Sequence, residues 1–374
     1  MLENVSQLVE MQLPALGPND RLLLVHPPSD EGVSLLARRY PGQVSVFSWD
    51  AGIHARSDAL GDGKLLTGIQ GDELQPVVGG EGVSHVVLYM TKAKERLELT
   101  LALLAETLSI ARYVALVGEK RSGVESAARR LHKEKGWAVR KDASARHSQW
   151  WQVVPSRDTG RFNLDRFSSV YSVGLMGEGV ESCTKLHVST LPGVFSHGAL
   201  DAGTEFLLAA LQDVVTQRVP QTLTVFRRSG PAAKVLDFGC GSGVISLWLA
   251  HHFPQLRIDA LDIDALALLA TRRNCSANSI NAAQIQTRLS DGLSALTGRY
   301  ALIVTNPPFH QGQKQDLNVT RQFLRECQQH LTPTGELVLV ANRFLPYAEC
   351  LEGSFRRWSI LSENGRFRVY HAQM

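Results

Sequence analysis

Cysteine is scarce in this 374-residue sequence, and its spacing argues against two kinds of site. The five cysteines form no Cys-x-x-Cys pair and no zinc-binding pattern, which disfavours both a disulfide framework and a zinc centre. We therefore expect reduced thiols, a cytoplasmic protein and no bound metal. Cys240 lies in a glycine-rich stretch and is expected to be small filler rather than a nucleophile.

Long apolar runs are lacking as well. No segment approaches the roughly 20 consecutive apolar residues of a transmembrane helix, so no membrane partner is expected. The N-terminal stretch MLENVSQLVEMQ carries acidic residues and no long apolar core, so we expect no signal peptide.

Net charge is small: 39 basic and 36 acidic residues give +3, with an isoelectric point near 8.6. An anionic partner is therefore permitted only through a local basic patch. A hydrophobic content of 44% with 20% charged residues is typical of an ordinary globular protein. At this length the chain exceeds the usual single core, which favours two domains.

The most informative stretch is residues 234–254, KVLDFGCGSGVISLWLAHHFP. An apolar run leads into Gly239, Gly241 and Gly243, and a helical pattern follows, so a strand, a tight turn and a helix are predicted. Glycine suits a backbone that needs positive φ or approaches a ligand closely. Such a turn presents its N–H groups and a helix N-terminus to a ligand. The alternative is a purely structural glycine turn.

Two acidic residues near the glycine turn favour a ligand-binding site over a purely structural turn. Asp237 precedes the first glycine, and Asp262 ends a second predicted strand, where an acid accepts hydrogen bonds from a ribose diol. This D-x-G-x-G-x-G pattern with its downstream acid resembles the S-adenosylmethionine site of Rossmann-like methyltransferases. Asp291, after the third strand, would accept a bond from an adenine amine, or it caps a turn. In the resembling fold Phe195 would cover the adenine and Asp201 or Thr204 would reach the amino-acid end; helix capping or core packing are the alternatives.

A second motif follows the fourth predicted strand, YALIVT (300–305). Asn306-Pro307-Pro308-Phe309 at this point resembles the catalytic tetrapeptide of methyltransferases that act on amino groups conjugated to π-systems. Such an amine is a poor nucleophile because its lone pair is delocalised. The Asn306 side-chain carbonyl and the Pro307 carbonyl would accept its two N–H bonds and direct the lone pair at the methyl group. Phe309 would stack on the base, which must leave its helix to react. A simple proline turn is the alternative.

Several residues are predicted to hold the substrate. They are Pro308 of the tetrapeptide and, in the polar loop that follows it, His310 and Lys314, with Lys314 a phosphate contact. Arg343 lies at a predicted sheet edge, where it would contact RNA or remain a surface charge. In the first half of the chain, Lys120 and Arg121 follow a predicted strand at the edge where α/β folds bind ligands. A solvated basic surface is the alternative there.

The two halves of the chain resemble each other. Residues 21–50 align with 234–263 at a constant offset of 213, HVVLYMTK (85–92) parallels RYALIVTN (299–306), and YVALVGEK (113–120) parallels ELVLVANR (336–343). We therefore predict an α/β protein of two tandem Rossmann-like methyltransferase folds with seven-stranded, mostly parallel sheets. Chance similarity between two α/β units is the alternative.

The N-terminal copy is predicted to be degenerate. It has His26, Pro28 and Asp30 where the second copy has glycines, and Trp49 stands in place of Asp262, with Asp50 one residue further on. Proline offers no N–H to a ligand, so this copy is not expected to bind the cofactor in the same way.

The predicted domains follow from this duplication. They are a degenerate methyltransferase-like domain over 1–160 for RNA recognition and stability, a linker with a lead-in strand over 161–185, and a catalytic domain over 186–374.

The whole chain resembles the small-subunit ribosomal RNA guanine-N2 methyltransferases of the RsmC type. The segments that carry the resemblance are VGEKRSGVESA (117–127), LPGVFSHGALDAG (191–203), NPPFHQG (306–312), VANRFLPY (340–347) and GRFRVYHA (365–372). The resemblance implies an S-adenosylmethionine-dependent enzyme acting on 16S rRNA of the small ribosomal subunit, with an inactive N-terminal copy; a monomer is expected. Guanine-N2 methylation of 23S rRNA, methylation of a protein glutamine and a non-enzymatic RNA-binding scaffold stay open as alternatives.

Overall fold

The chain forms two compact units, Met1–Ser168 and Ser169–Met374. The structure, a computed structural model, describes residues 2–77, 82–156, 162–175, 184–216, 223–227, 233–293, 296–307 and 317–374. Across these ranges no helix is both long and apolar enough to cross a membrane.

The first unit is built on one large sheet with helices packed against it. Its strands are β1 (Leu22–Val25), β2 (Val44–Phe47), β3 (Leu65–Leu66), β4 (Ile69–Gln70), β5 (Glu73–Leu74), β6 (His85–Tyr89), β7 (Tyr113–Glu119), β8 (Ala138–Ala145) and β9 (Ser148–Val154). Its helices are α1 (Asn4–Gln12), α2 (Gly32–Arg39), α3 (Ala51–His54), α4 (Lys94–Leu103), α5 (Ala105–Ile110) and α6 (Val124–Lys135). The sheet order is β3-β2-β1-β6-β7-β9-β8, and β4 pairs with β5 separately.

The second unit repeats this design after a two-stranded lead-in. Its strands are β10 (Ser169–Leu175), β11 (Thr184–Thr190), β12 (Lys234–Phe238), β13 (Arg257–Asp262), β14 (Ile285–Leu289), β15 (Tyr300–Thr305), β16 (Leu331–Asn342), β17 (Arg357–Glu363) and β18 (Phe367–Gln373). Its helices are α7 (Ala202–Thr216), α8 (Val244–His252), α9 (Ala265–Ala277), α10 (Leu317–His330) and α11 (Tyr347–Glu352). The large sheet runs β14-β13-β12-β15-β16-β18-β17.

When the strands of each large sheet are numbered 1 to 7 in chain order, starting from β1 and from β12, both sheets have the order 3-2-1-4-5-7-6. Strands 1 to 5 are parallel and strand 7 is antiparallel to its neighbours, so each sheet ends in an antiparallel hairpin. The predicted fold class is therefore confirmed. The central strands are continuous apolar runs because helices cover both faces of a parallel sheet; β1, for example, is buried at all four positions.

The lead-in differs from the prediction of a single strand. The antiparallel partner of β11 is β10, with Ser169 opposite Thr190 and Leu175 opposite Thr184. The alternation in SVYSVGL is short and includes glycine, so the sequence signal for β10 is weak.

Strand register corrects the alignment of the two copies by one residue. Val25 pairs with Phe47 in the first sheet, and the equivalent Phe238 pairs with Leu261 in the second. Ser48, not Trp49, therefore occupies the position of Asp262. The Ser48 hydroxyl accepts from the Asp50 N–H, as the Asp262 carboxylate accepts from the Asp264 N–H. Asp50 then caps α3 just as Asp264 caps α9, so no acid is restored at the ribose position.

Aromatic side chains fill the corresponding region of the first unit. Trp49 is fully buried, donates from Nε1 to the Thr67 carbonyl at 2.7 Å, and packs on Phe47 and His26 with ring centroids 5.2 and 4.7 Å away. The Arg96 guanidinium lies 4.9 Å from the Trp49 ring. Aromatic packing thus occupies the region that corresponds to the acidic strand end of the second unit.

Candidate active site

The glycine turn of the second unit connects β12 to α8. Gly239, Gly241 and Gly243 all have positive φ, at 71°, 55° and 82°. A Cβ on Gly243 would lie 2.7 Å from the Thr271 side chain, whereas a Cβ on Gly241 would meet nothing closer than Phe195 at 3.9 Å. Gly243 is thus required for packing against α9, and Gly241 leaves open space on the other side of the turn.

Asp262 ends β13 and is bonded to this turn. One carboxylate oxygen accepts from the Gly241 N–H and the other from the Asp264 N–H, both at 2.9 Å. Burial, reinforced by the nearby Asp264 charge, raises the pKa of Asp262 to about 6. The Ile263 N–H also interacts with this carboxylate, so of its roughly four acceptor positions one is left to accept a bond from a diol.

Asp237 is placed differently from the prediction of a direct cofactor contact. It is fully buried beneath the start of α8, where one oxygen accepts from the Ser246 N–H at 3.0 Å and the Ser246 hydroxyl at 2.6 Å. Burial raises the pKa of Asp237 to about 7. Its carboxylate does not line the cleft above the turn; it fixes the helix that the turn begins.

An open cleft lies above the glycine turn, with about 360 Å³ of empty space. It is lined by Tyr171, Phe195, Ser196, Leu200, Asp201, Thr204, Gly239, Cys240, Gly241, Ser242, Val244, Ile245 and Asn306. Six of the predicted site residues therefore meet here: Phe195, Asp201, Thr204, Gly239, Gly241 and Asn306. Burial raises the pKa of the Cys240 thiol well above its usual value, so it stays protonated, as expected of filler.

Asn306, directly after β15, has its side-chain amide fixed at the edge of this cleft. Its Nδ2 donates to Asp201 Oδ2 at 2.8 Å and to Thr204 Oγ1 at 2.9 Å. A carboxylate can only accept, so the NH₂ group faces Asp201 and the Oδ1 carbonyl is the group left to accept a bond. Asp201 also accepts from the Thr204 N–H at 2.9 Å, at the first turn of α7. Asp201 thus contacts Asn306 in addition to capping a helix.

The comparisons with known proteins agree with one another. The family model "Methyltransferase small domain" matches residues 185–371, and "Methyltransferase small domain N-terminal" matches 6–171. The Ribosomal RNA small subunit methyltransferase C of Hahella chejuensis is 40% identical over 99% of this chain and 98% of its own length. The protein of the same name from Pseudomonas aeruginosa is 36% identical, covering 94% of each.

The chain belongs to the ribosomal RNA small subunit methyltransferase C family.

A solved structure shares the whole fold of this family member. It is described as T. thermophilus 16S rRNA N2 G1207 methyltransferase (RsmC) in complex with AdoMet and guanosine. The TM-score is 0.78, with 24% identity over 99% of this chain and 92% of that chain. The two-unit architecture is therefore found in an experimental structure as well.

The remaining predicted site residues of the present chain are not among the described residues that line the cleft. Asp291 is exposed after β14, and Pro307 is buried next to Asn306. Pro308, Phe309, His310 and Lys314 lie outside the described residues. Among the residues that the structure does describe, no group of three or more His, Cys, Asp or Glu side chains could hold a metal ion.

The predicted basic residues occupy equivalent turns in the two units. Lys120 follows β7 and Arg343 follows β16, and in each case the backbone N–H donates at 2.8 Å to a carbonyl of the closing hairpin, His147 or Arg366. Lys120 and Arg121 are exposed, and Arg121 is paired with Glu119 at 2.6 Å.

Two further residues near the site were not singled out from the sequence. Ile263, directly after Asp262, is 44% exposed and apolar, a pattern that the acid at the strand end could have drawn attention to. Asn274 on α9 is fully buried; its amide bonds both backbone groups of Ser189 at 2.8 Å and donates to the Ser242 carbonyl at 2.9 Å. It thereby connects the lead-in strand to the glycine turn, a role that no local pattern reveals.

Proposed function

We propose that this protein transfers a methyl group from S-adenosylmethionine to the exocyclic N2 amine of a guanine in 16S rRNA of the small ribosomal subunit. The observation that carries the proposal is the fixed amide of Asn306 at the edge of the cleft above the glycine turn; its side-chain carbonyl accepts no hydrogen bond from the residues that the structure describes. Membership of the small subunit methyltransferase C family supports the substrate.

The residues around the cleft fit the proposed cofactor. Gly241 leaves open space above the turn, and Asp262 has an acceptor position for a ribose diol. Phe195 and Ile263, 45% and 44% exposed, would contact the adenine, and Asp291 would accept from its amine. When bound, the cofactor supplies a methyl group activated by its sulfonium charge.

The chain's own contribution is to position and activate the amine. Asn306 Oδ1 and the Pro307 carbonyl accept the two N–H bonds of the guanine amine, which reduces the overlap of its lone pair with the ring. The ring of proline fixes the backbone dihedral φ, so the second acceptor is preorganised. Phe309 stacks on the base, and Pro308, His310 and Lys314 contact the substrate.

The proton balance needs no strong base. The nitrogen gains a carbon and a positive charge, then loses one proton. An amide oxygen is too weakly basic to keep that proton, so it passes to solvent. Positioning of the two reactants therefore carries most of the rate enhancement.

The first unit serves RNA recognition and stability in this proposal. Its exposed Lys120 and Arg121, at the carboxyl end of β7, provide cationic contacts for phosphates, and Arg343 does the same beside the reaction centre. The functional boundaries are a degenerate domain over 1–160, a linker over 161–185 and a catalytic domain over 186–374. The enzyme works as a monomer in the cytoplasm.

One experiment compares three substrates. Purified protein is incubated with methyl-labelled S-adenosylmethionine and 30S subunits, 50S subunits or a glutamine-containing peptide. We expect label in 16S rRNA as N2-methylguanine, and none in the other two. Label in 23S rRNA or in the peptide would contradict the proposal. Asn306→Ala should abolish turnover while 30S binding persists; a wild type that binds 30S subunits without methylating them would identify a scaffold.

A further inference from the structure

We infer that Phe344, together with Arg343 and Arg366, forms a stacking site for an unpaired RNA base that neighbours the target guanine. The inference deepens the proposed function and rests on it. It names a surface beside the cleft and the chemical class that the surface takes: a nucleobase with its adjoining phosphate.

Phe344 is the most exposed large apolar side chain among the described residues, at 86%. The exposure is imposed by a defined turn. The Leu345 N–H donates to the Asn342 carbonyl at 3.0 Å, so Arg343 and Phe344 are the two central residues of a β-turn, and Leu345 behind them is buried. The turn thus holds an aromatic ring in water, where it contributes no packing to the core.

The turn lies at the same sheet edge as the amine acceptor. It follows β16, which runs parallel to β15 with Thr305 opposite Leu339, and Asn306 is the residue after Thr305. Both positions are therefore at the carboxyl ends of neighbouring strands.

A continuous set of contacts links the turn to Asn306. The Arg343 N–H donates to the Arg366 carbonyl at 2.8 Å, and the Arg366 guanidinium lies 4.9 Å from the Phe367 ring. A Cβ on Gly203 would lie 3.4 Å from both the Phe367 ring and Asn306 Nδ2. The Phe367 ring, beside the Arg366 guanidinium, and the Asn306 amide therefore both border Gly203.

Charge at this surface suits a phosphate. Arg343 and Arg368 share one carboxylate, that of Glu363, with Arg343 Nε 3.4 Å from it. Counting Arg366, these four side chains carry a net charge of +2. An exposed ring flanked by arginines is the arrangement by which proteins bind single-stranded nucleic acid, with bases stacking on aromatics and cations contacting the backbone.

RNA fits this surface better than a second copy of the chain or a ribosomal protein. The target guanine must leave its helix to reach Asn306, and this exposes the π-face of a neighbouring base. A protein partner would need further exposed apolar area around Phe344, but the adjoining Arg343 and Arg366 are exposed and charged.

The test uses the full chain and separates stacking from apolar contact. Phe344→Ala, Phe344→Leu and Phe344→Trp are compared for KM and kcat on 30S subunits and for binding of S-adenosylhomocysteine. Because a stacked base contributes roughly 5- to 100-fold in affinity, we expect Ala and Leu to raise KM by about that factor and Trp to keep the wild-type value. Cofactor-product binding should be unchanged. Ile360→Ala, which removes another partly exposed apolar side chain, is the matched control.

The proposed phosphate contact of Arg366 is tested by measuring how affinity for 30S subunits depends on salt concentration. Arg366→Gln should reduce the slope of log affinity for 30S subunits against log salt by about one, whereas Arg257→Gln, an exposed arginine at the opposite strand end, should not.

Three results would overturn the inference. The first is an unchanged KM for Phe344→Ala. The second is a wild-type KM for Phe344→Leu, which would indicate an apolar protein contact. The third is a sedimentation coefficient of Phe344→Ala that differs from that of the wild type, which would indicate that Phe344 binds a second copy of the chain. If the wild type fails to methylate 30S subunits at all, the proposed function is wrong; if it does so and Phe344→Ala is indistinguishable from it, only the stacking site is wrong.

Discussion

Asn306 Nδ2 lies 2.8 Å from Asp201 Oδ2, although 105 positions separate the two residues in the chain. The contact joins the start of α7 to the end of β15 and fixes which end of the Asn306 amide faces the substrate. Thr204 adds a second acceptor at 2.9 Å. In the proposed reaction Asp201 and Thr204 would therefore be positioning residues, which act on the amine through Asn306.

Loss of either positioning residue should lower kcat. In Asp201→Ala the Asn306 amide is free to rotate, and we expect kcat on 30S subunits to fall by about 10- to 100-fold, the effect of losing one or two hydrogen bonds that orient a reacting group. Asp201→Asn retains an oxygen acceptor and should be milder. Thr204→Val keeps the shape of the side chain but removes its hydroxyl, whereas Thr204→Ser keeps the hydroxyl. Only Thr204→Ser should therefore keep activity.

The cofactor supplies the control for this prediction. The Kd of S-adenosylhomocysteine, measured by calorimetry, should change little in these variants. If Asp201→Ala instead weakens that binding and leaves kcat intact, Asp201 holds the cofactor's amino-acid end, as the sequence suggested, and the orienting role is wrong.

Two glycines of the turn should respond differently to alanine. Gly243→Ala combines a φ of 82° with a Cβ 2.7 Å from Thr271, so we expect unfolding free energy to fall by about 2–4 kcal/mol. Gly241→Ala has a similar backbone penalty of about 1 kcal/mol but no clash. Urea denaturation measures the difference, and because Gly241 lines the cleft its variant should mainly weaken S-adenosylhomocysteine binding. Equal stability losses would show that contact with Thr271 is unimportant.

Asp237 should make stability depend on pH. Burial raises its folded pKa to about 7 from an unfolded value near 3.8, so the folded state holds a proton that the unfolded state releases. The stabilisation of the folded state by this retained proton is fully present below about pH 4 and is lost as pH rises to about 7. One pKa unit corresponds to about 1.4 kcal/mol, so the loss is at most about 4 kcal/mol.

An isosteric variant isolates this effect. Asp237→Asn cannot ionise, so the difference in unfolding free energy between it and the wild type should shift in favour of the variant between pH 4 and 7 in urea titrations. A difference independent of pH would mean that Asp237 titrates in its ordinary range.

The first unit should be stabilised by Trp49 and should not bind cofactor. Trp49→Ala removes a fully buried ring and its bond to Thr67, which should cost about 3–5 kcal/mol, whereas Trp49→Phe should cost less. Calorimetry with S-adenosylhomocysteine should give one site per chain in the wild type and in Trp49→Phe. A stoichiometry of two would mean that the N-terminal copy still binds.

Local patterns predicted most of the fold and the turn. The glycines at 239, 241 and 243 all take the positive φ that their spacing implied, and the repeat between the halves predicted the second sheet from the first. Strand alternation and apolar runs depend directly on which side chains are buried, so the strands can be predicted from the sequence.

Features that depend on distant contacts were missed or misassigned. Asp237 is part of the motif that predicts the cofactor site, but the motif cannot show that Ser246, nine residues later, bonds its buried carboxylate. The one-residue difference between Ser48 and Trp49 depends on strand register, which two buried strands of similar composition do not specify. Phe344 gave no signal, since an aromatic residue between Arg343 and Leu345 is equally compatible with a core position.

The matching backbone bonds of Lys120 to His147 and of Arg343 to Arg366 show that the same turn and hairpin anchor occur in both units. The anchor uses only backbone groups, so it places no demand on the side chains of the turn. At the residue that follows each anchor, one unit has Arg121 and the other Phe344. The shared anchor therefore fixes the path of the backbone at this sheet edge without fixing the side chain that the turn presents to solvent.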